Sequence, residues 1–89
     1  MNPDDLHVTA LELQSEDGFP FGDESKRYAV TVRCTDAGFK SLQDAWESRE
    51  PFCVTFAGTN YVGTIRGNVL ATEISESTYT IEAKFTLFE

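Results

Sequence analysis

Few side chains in this sequence are of types that do covalent chemistry, and their spacing does not gather them. His7 is the only histidine. It stands at the start of a strand-like stretch, where an exposed strand residue is the expected role. Cys34 and Cys53 are the two cysteines, and with one histidine they make no zinc-binding set. No glycine-rich loop leads into a helix to cradle phosphate. No serine sits at a strand-to-helix elbow as a nucleophile would. Carboxylates are abundant but fall on loops and polar faces, and only the folded chain can say whether a pair converges. The expectation is a protein that is not an enzyme, with no cofactor and no metal.

Recognition chemistry has a better candidate in residues 15–27. The stretch Gly18-Phe19-Pro20-Phe21-Gly22 sets two aromatic rings around a proline, and Glu16, Asp17, Asp23 and Glu24 surround them. Glycine and proline at this density argue against a regular element. A connection this long is unusual in a small domain and often carries function. Two roles are open to Phe19 and Phe21. They could fold back and plug the open end of a barrel or sheet, or they could anchor a partner subunit, as exposed aromatics do at interfaces. The second role makes Glu16, Asp17, Phe19, Phe21, Asp23 and Glu24 the candidate protein-contact residues. Trp46, the lone tryptophan, is expected in the core; a ligand-stacking role would need companions that the sequence does not supply.

The charge balance narrows the partners. Fifteen acidic side chains against seven basic ones give a net charge of −8. A body this negative repels phosphate backbones, so direct binding to nucleic acid or to an anionic membrane is disfavoured. It favours a basic protein surface, or it serves solubility alone. The acid concentrates in residues 1–27, where Asp4, Asp5, Glu12, Glu16, Asp17, Asp23 and Glu24 meet only Lys26 and Arg27. No basic stretch followed by an apolar run marks a leader, and no apolar run approaches the roughly 20 residues that span a bilayer. The expected compartment is a reducing cytoplasm, of a cell or of an infected host, or a virion.

These residues need elements to position them. A chain of 89 residues has room for one core, so residues 1–89 are read as a single domain. Residues 5–13 form an imperfectly alternating first strand: Leu11 and Leu13 share a phase with His7 and Thr9, Leu6 and Val8 with Ala10. Such a strand would be partly covered on both faces. Residues 28–34 alternate well, with Tyr28, Val30, Val32 and Cys34 on one face. Thr35 or Asp36 can cap a helix. Phe39, Leu42 and Trp46 then recur at helical spacing, with Ala45 at the edge of the stripe. Pro51 ends the helix near Ser48. Strands follow at 52–56, 61–66, 69–75 and 78–88, with turns at Ala57–Asn60, where Gly58 and Asn60 can take positive φ, and at Gly67-Asn68. Cys34 lies in an apolar phase, and Cys53 lies opposite to Phe52, Val54 and Phe56. The two should be free thiols on different faces.

The expected order is therefore β-β-α-β-β-β-β. The fold class is α+β, mainly β: an antiparallel β-sandwich or split barrel with a single helix laid on one face or open end. Val30, Val32, Phe39, Leu42, Trp46, Val54, Ile81, Phe85 and Leu87 should share one core.

The strand Tyr28–Cys34, the helix Thr35–Trp46 and the hairpin opened by Pro51-Phe52-Cys53-Val54-Thr55-Phe56, with Gly58 and Tyr61-Val62-Gly63, resemble small β-rich proteins of tailed-phage and prophage tail assembly. The resemblance covers residues 28–66. It implies a β-sandwich or split barrel that packs into rings through loops and sheet edges. The chain is shorter and more acidic than a typical tail-tube subunit, and no functional residue carries over. The function expected is structural: an assembly protein acting through subunit contacts. Its partners would be proteins, either copies of itself in a homo-oligomer or neighbouring assembly subunits. The alternative is a small acidic binding or inhibitor protein that engages a basic partner surface as a nucleic-acid mimic.

Overall fold

A computed structural model describes residues 5–15, 26–76 and 78–89. Five strands and one helix follow one another as β1 (Leu6–Ser15), β2 (Arg27–Cys34), α1 (Asp36–Ser48), β3 (Pro51–Phe56), β4 (Thr59–Glu73) and β5 (Ile81–Phe88). All pairings are antiparallel, in one sheet of order β1-β2-β5-β4-β3. The sheet curls into a half-barrel, and its two edges, β1 and β3, approach each other. Of the two layouts expected, the open barrel is the one formed: a single sheet leaves no second one to stack as a sandwich.

The helix forms where the period of the sequence changes. Thr35 is the N-cap, in extended conformation, and its hydroxyl accepts the Gly38 N–H at 3.2 Å. Its own N–H donates to Asp5 O at 2.9 Å, tying the helix start to the start of β1. Gly38 makes that approach possible. A Cβ there would lie 2.2 Å from Asp5 O, so the glycine that weakens the helix locally is set by packing. Arg49 ends the helix in the left-handed region at φ 56, its N–H directed to Ala45 O, and Pro51 opens β3. Leu42 and Ala45 are buried; Phe39 and Trp46 flank them, half-buried.

The ladders shift register at three places, between Val8 and Ala10, Leu13 and Ser15, and Arg66 and Leu70, and two of these replace features expected from the alternation. In β1 the ladder shifts between Val8 and Ala10. The extra residue flips the phase, so that Leu6, Val8, Leu11 and Leu13 oppose Cys34, Val32, Val30 and Tyr28; Leu6, Val8 and Leu11 pack into the core, and Leu13, 41% exposed, lies at its rim. The strand is not covered on both faces, as its sequence suggests; one bulge collects its apolar residues on one side.

In β4 the ladder shifts between Arg66 and Leu70. Segments 61–66 and 69–75, expected as separate strands, fall in one 15-residue strand that ends at Glu73, two residues short of the expected end. Gly67 does take positive φ, at 80, but it makes a bulge rather than a turn. The physical reason is that β5 pairs with both halves, Leu87 opposite Ile65 and Ala83 opposite Ala71. The indole N–H of Trp46 donates to Gly67 O at 2.8 Å and fastens the bulge to the helix. This hydrogen bond belongs to a core-flanking tryptophan, not to a stacking platform.

The β3–β4 hairpin turns on Ala57 (φ 52) and Gly58 (φ 79). Both central residues are left-handed, as a two-residue I′ turn requires. The second positive φ was expected at Asn60, which instead pairs with Thr55 inside the ladder.

Val30, Val32, Leu42, Val54, Phe85 and Leu87 are buried together as expected, with Phe39, Trp46 and Ile81 packed against them. Val8, Tyr28, Cys34, Phe52, Ile65 and Ala83 complete the core.

Phe85, 4% exposed and edge-to-face with Phe52 at 6.1 Å, sits at its centre. Phe85→Ala is expected to cost about 3–5 kcal/mol in urea unfolding; a loss under about 1 kcal/mol would show that the site collapses around the cavity. In the opposite direction, Ala57→Asn should stabilise the chain by about 1 kcal/mol, because asparagine tolerates the left-handed region that strains alanine. An unchanged midpoint would mean that the turn carries no strain.

Candidate functional site

The inward side of the sheet is taken by the core and α1. Among the described residues nothing covers the other side. Register sets that outward face in rows: His7, Arg33, Glu82 and Thr72; Ala10, Thr31, Lys84 and Leu70; Glu12, Ala29, Thr86 and Arg66; Arg27, Phe88 and Thr64. Small residues line its middle. A shallow groove of about 300 Å³ runs over Ala29, Thr31 and Thr86, with Gln14 on one flank and Asn68 and Leu70 on the other. Leu70 is 65% exposed, and Val62, opposite Cys53 on the β3–β4 hairpin, is 51% exposed.

The face also gathers cations. Arg27, Arg33, Arg66 and Lys84 are four of the seven basic side chains in the whole sequence, so a strongly acidic protein turns a locally basic surface outward. Arg27 and Arg66 place their guanidinium carbons 5.9 and 5.4 Å from the centroid of the Phe88 ring, within cation–π range. Arg33 is held by Glu76 and, at 3.6 Å, by Glu82. These partners are each about a third exposed, so the pairs orient the arginine more than they stabilise the fold. Both ion pairs among the described residues fall on Arg33.

Carboxylates line two clefts beside the helix. One, about 480 Å³, lies between its first turn and the ends of β4 and β5: Asp36 and Glu73 stand over Phe39, Ile74 and Ile81. The other, about 380 Å³, lies between the second half of α1 and the start of β3. It has Asp44 and Glu50 over Ala45, Pro51 and Phe52, with Cys53 in its wall. Acid over an apolar floor suits a lysine or arginine, whose aliphatic stem can be buried while the charge stays at the mouth.

His7 is exposed and stacks on Tyr79, with ring centroids 6.1 Å apart. Among the described residues no three His, Cys, Asp or Glu side chains come together as a metal-binding group, and no helix is long and apolar enough to cross a membrane. The contact residues expected from the sequence, Glu16, Asp17, Phe19, Phe21, Asp23 and Glu24, lie outside the described residues. The outward face was not anticipated. Its one signal was Phe88, an aromatic in the polar phase Thr80, Glu82, Lys84, Thr86 of the last strand. Known protein families, curated proteins and solved structures give no match to this chain.

The thiols fall on opposite sides, Cys34 buried and Cys53 exposed, both free. Burial pushes the Cys34 thiol up from 9.0 to about 11, with the negative charge of Asp36 adding to it. Burial, then the hydrogen bond to Glu89, also raises the Tyr28 phenol. Both groups are therefore held protonated by the fold. A group raised in this way contributes stability below its unfolded value and loses it as pH climbs through the folded one, so stability should fall between pH 9 and about 11. Below that window, iodoacetamide should label Cys53 alone, with Cys34 reacting only on unfolding. Equal labelling of both cysteines in the native chain, read by mass spectrometry, would contradict the burial of Cys34.

Proposed function

We propose that this chain is a structural assembly protein that works through contacts between its own copies, of the kind found in tailed-phage tail assembly. The observation that supports it most is the outward face of the sheet. Val62 and Leu70 are more than half exposed there, and Phe88 lies between two arginines. Exposed apolar residues beside organised charge mark surfaces that meet another protein.

A second reading, a small acidic binding protein for a basic partner, draws on the carboxylate pairs at Asp36 and Glu73 and at Asp44 and Glu50. A wholly foreign partner leaves the pure chain monomeric, whereas assembly makes its mass depend on concentration.

Sedimentation velocity or light scattering of the purified full chain over a wide concentration range is the test. The weight-average mass should rise with concentration. The rise should weaken as salt shortens the Debye length from about 10 Å to about 3 Å. A chain that stays monomeric at every concentration and at low salt would overturn the assembly reading in favour of the second.

A further inference from the structure

Resting on the reading that copies of the chain associate, we propose that they join head to tail: the Arg66, Lys84 and Phe88 surface of one copy seats on the Asp44 and Glu50 cleft of the next. The occupant of each surface is thus a second copy of this chain.

Charge selects this arrangement over a symmetric one. In a two-fold contact centred on either one of these surfaces, that surface meets its own image. Two outward sheet faces would then set Arg27, Arg66 and Lys84 against their own images, and two clefts would set Asp44 and Glu50 against theirs. Like charges brought together in this way cost several kcal/mol. A contact between unlike surfaces meets the opposite charge on both sides. The chain carries both halves on different elements: the cations on β4 and β5, the carboxylates on α1 and the residue before β3.

Shape and chemistry agree with the charge. The cleft holds about 380 Å³ above Ala45 and Phe52, room for a long cationic side chain to lay its stem on apolar floor and leave its head among carboxylates. Arg66, Lys84, Asp44 and Glu50 are all exposed, and both ion pairs among the described residues involve Arg33 alone. A contact between two different surfaces leaves the joined pair with one of each unused, so growth closes into a ring or continues as a filament.

The test uses paired charge reversals in the full chain. Arg66→Glu with Lys84→Glu makes both surfaces acidic; Asp44→Lys with Glu50→Lys makes both basic. Each double variant alone should associate more than tenfold more weakly than the unaltered chain. An equimolar mixture of the two should assemble again, as should the chain carrying all four changes. Recovery also demonstrates that each variant folds. In the unaltered chain Cys53, in the cleft wall, should alkylate more slowly in the assembled fraction than in the monomer.

Assembly by the unaltered chain that the reversals leave unchanged would overturn this contact while leaving the assembly reading intact. So would loss of association without recovery on mixing. If Arg66→Glu with Lys84→Glu instead lowers the unfolding temperature of the monomer and spares association, the basic surface is occupied within its own chain and the contact is likewise overturned. An unaltered chain that never associates defeats the assembly reading itself.

Discussion

β5 carries hydrogen-bonded ladders on both of its edges, to β2 and to β4, and through it the two hairpins become one sheet. Its partners lie far away in sequence: Cys34 stands opposite Ile81, and Arg27 opposite Phe88. The register is fixed by burial. Ala83, Phe85 and Leu87 are at most 4% exposed, and a slip of one residue would exchange them for Glu82, Lys84 and Thr86. Burying that lysine and glutamate without close partners would cost far more than any edge hydrogen bond returns. The same register sets Phe88 beside Arg27 and within reach of Arg66 on the other face, so core and contact surface follow from one alignment.

Because β5 is central, the strands around it must bend to close over the helix. The bulge in β1 brings Leu11 and Leu13 into the phase of Leu6 and Val8. The bulge in β4 lets one strand serve β5 along its length, and the Trp46 indole fixes its position. At the other end of α1, the Thr35 N–H to Asp5 and the bare face of Gly38 hold helix and first strand together. The helix is thus pinned at both ends to sheet elements distant in sequence. Aromatic pairs add to this: Phe52 meets Phe85 and Tyr28 meets Tyr61 edge to face, each pair contributing about 0.5–1.5 kcal/mol beyond its buried area.

One helix can cover only one face of a five-stranded sheet. The other face, which no described residue covers, keeps small residues along its middle and charged or aromatic ones around them, and the helix side keeps carboxylates over apolar clefts. A protein with net charge −8 therefore presents two surfaces of different sign. The association proposed above draws on that difference.

The sequence by itself determined what depends on neighbours along the chain. The helix from Asp36 to Ser48 was legible from its Thr35 cap, its Phe39, Leu42 and Trp46 stripe and the stop at Pro51. The inward phases of β2 and β5 were legible from strict alternation, and with them most of the core and the opposite placement of Cys34 and Cys53. What it could not show were events set by partners far away. A glycine with positive φ reads the same in a turn and in a bulge; at Gly67 the choice was made by β5 pairing on both sides and by Trp46 reaching its carbonyl. The mixed phase of β1 reads as two covered faces until β2 imposes a register that needs one extra residue at Thr9. The basic surface was hidden for the same reason. Arg27, Arg66 and Phe88 are scattered along the chain and become neighbours only when antiparallel ladders align their strands, because side-chain proximity across a sheet is fixed by register and not by sequence distance.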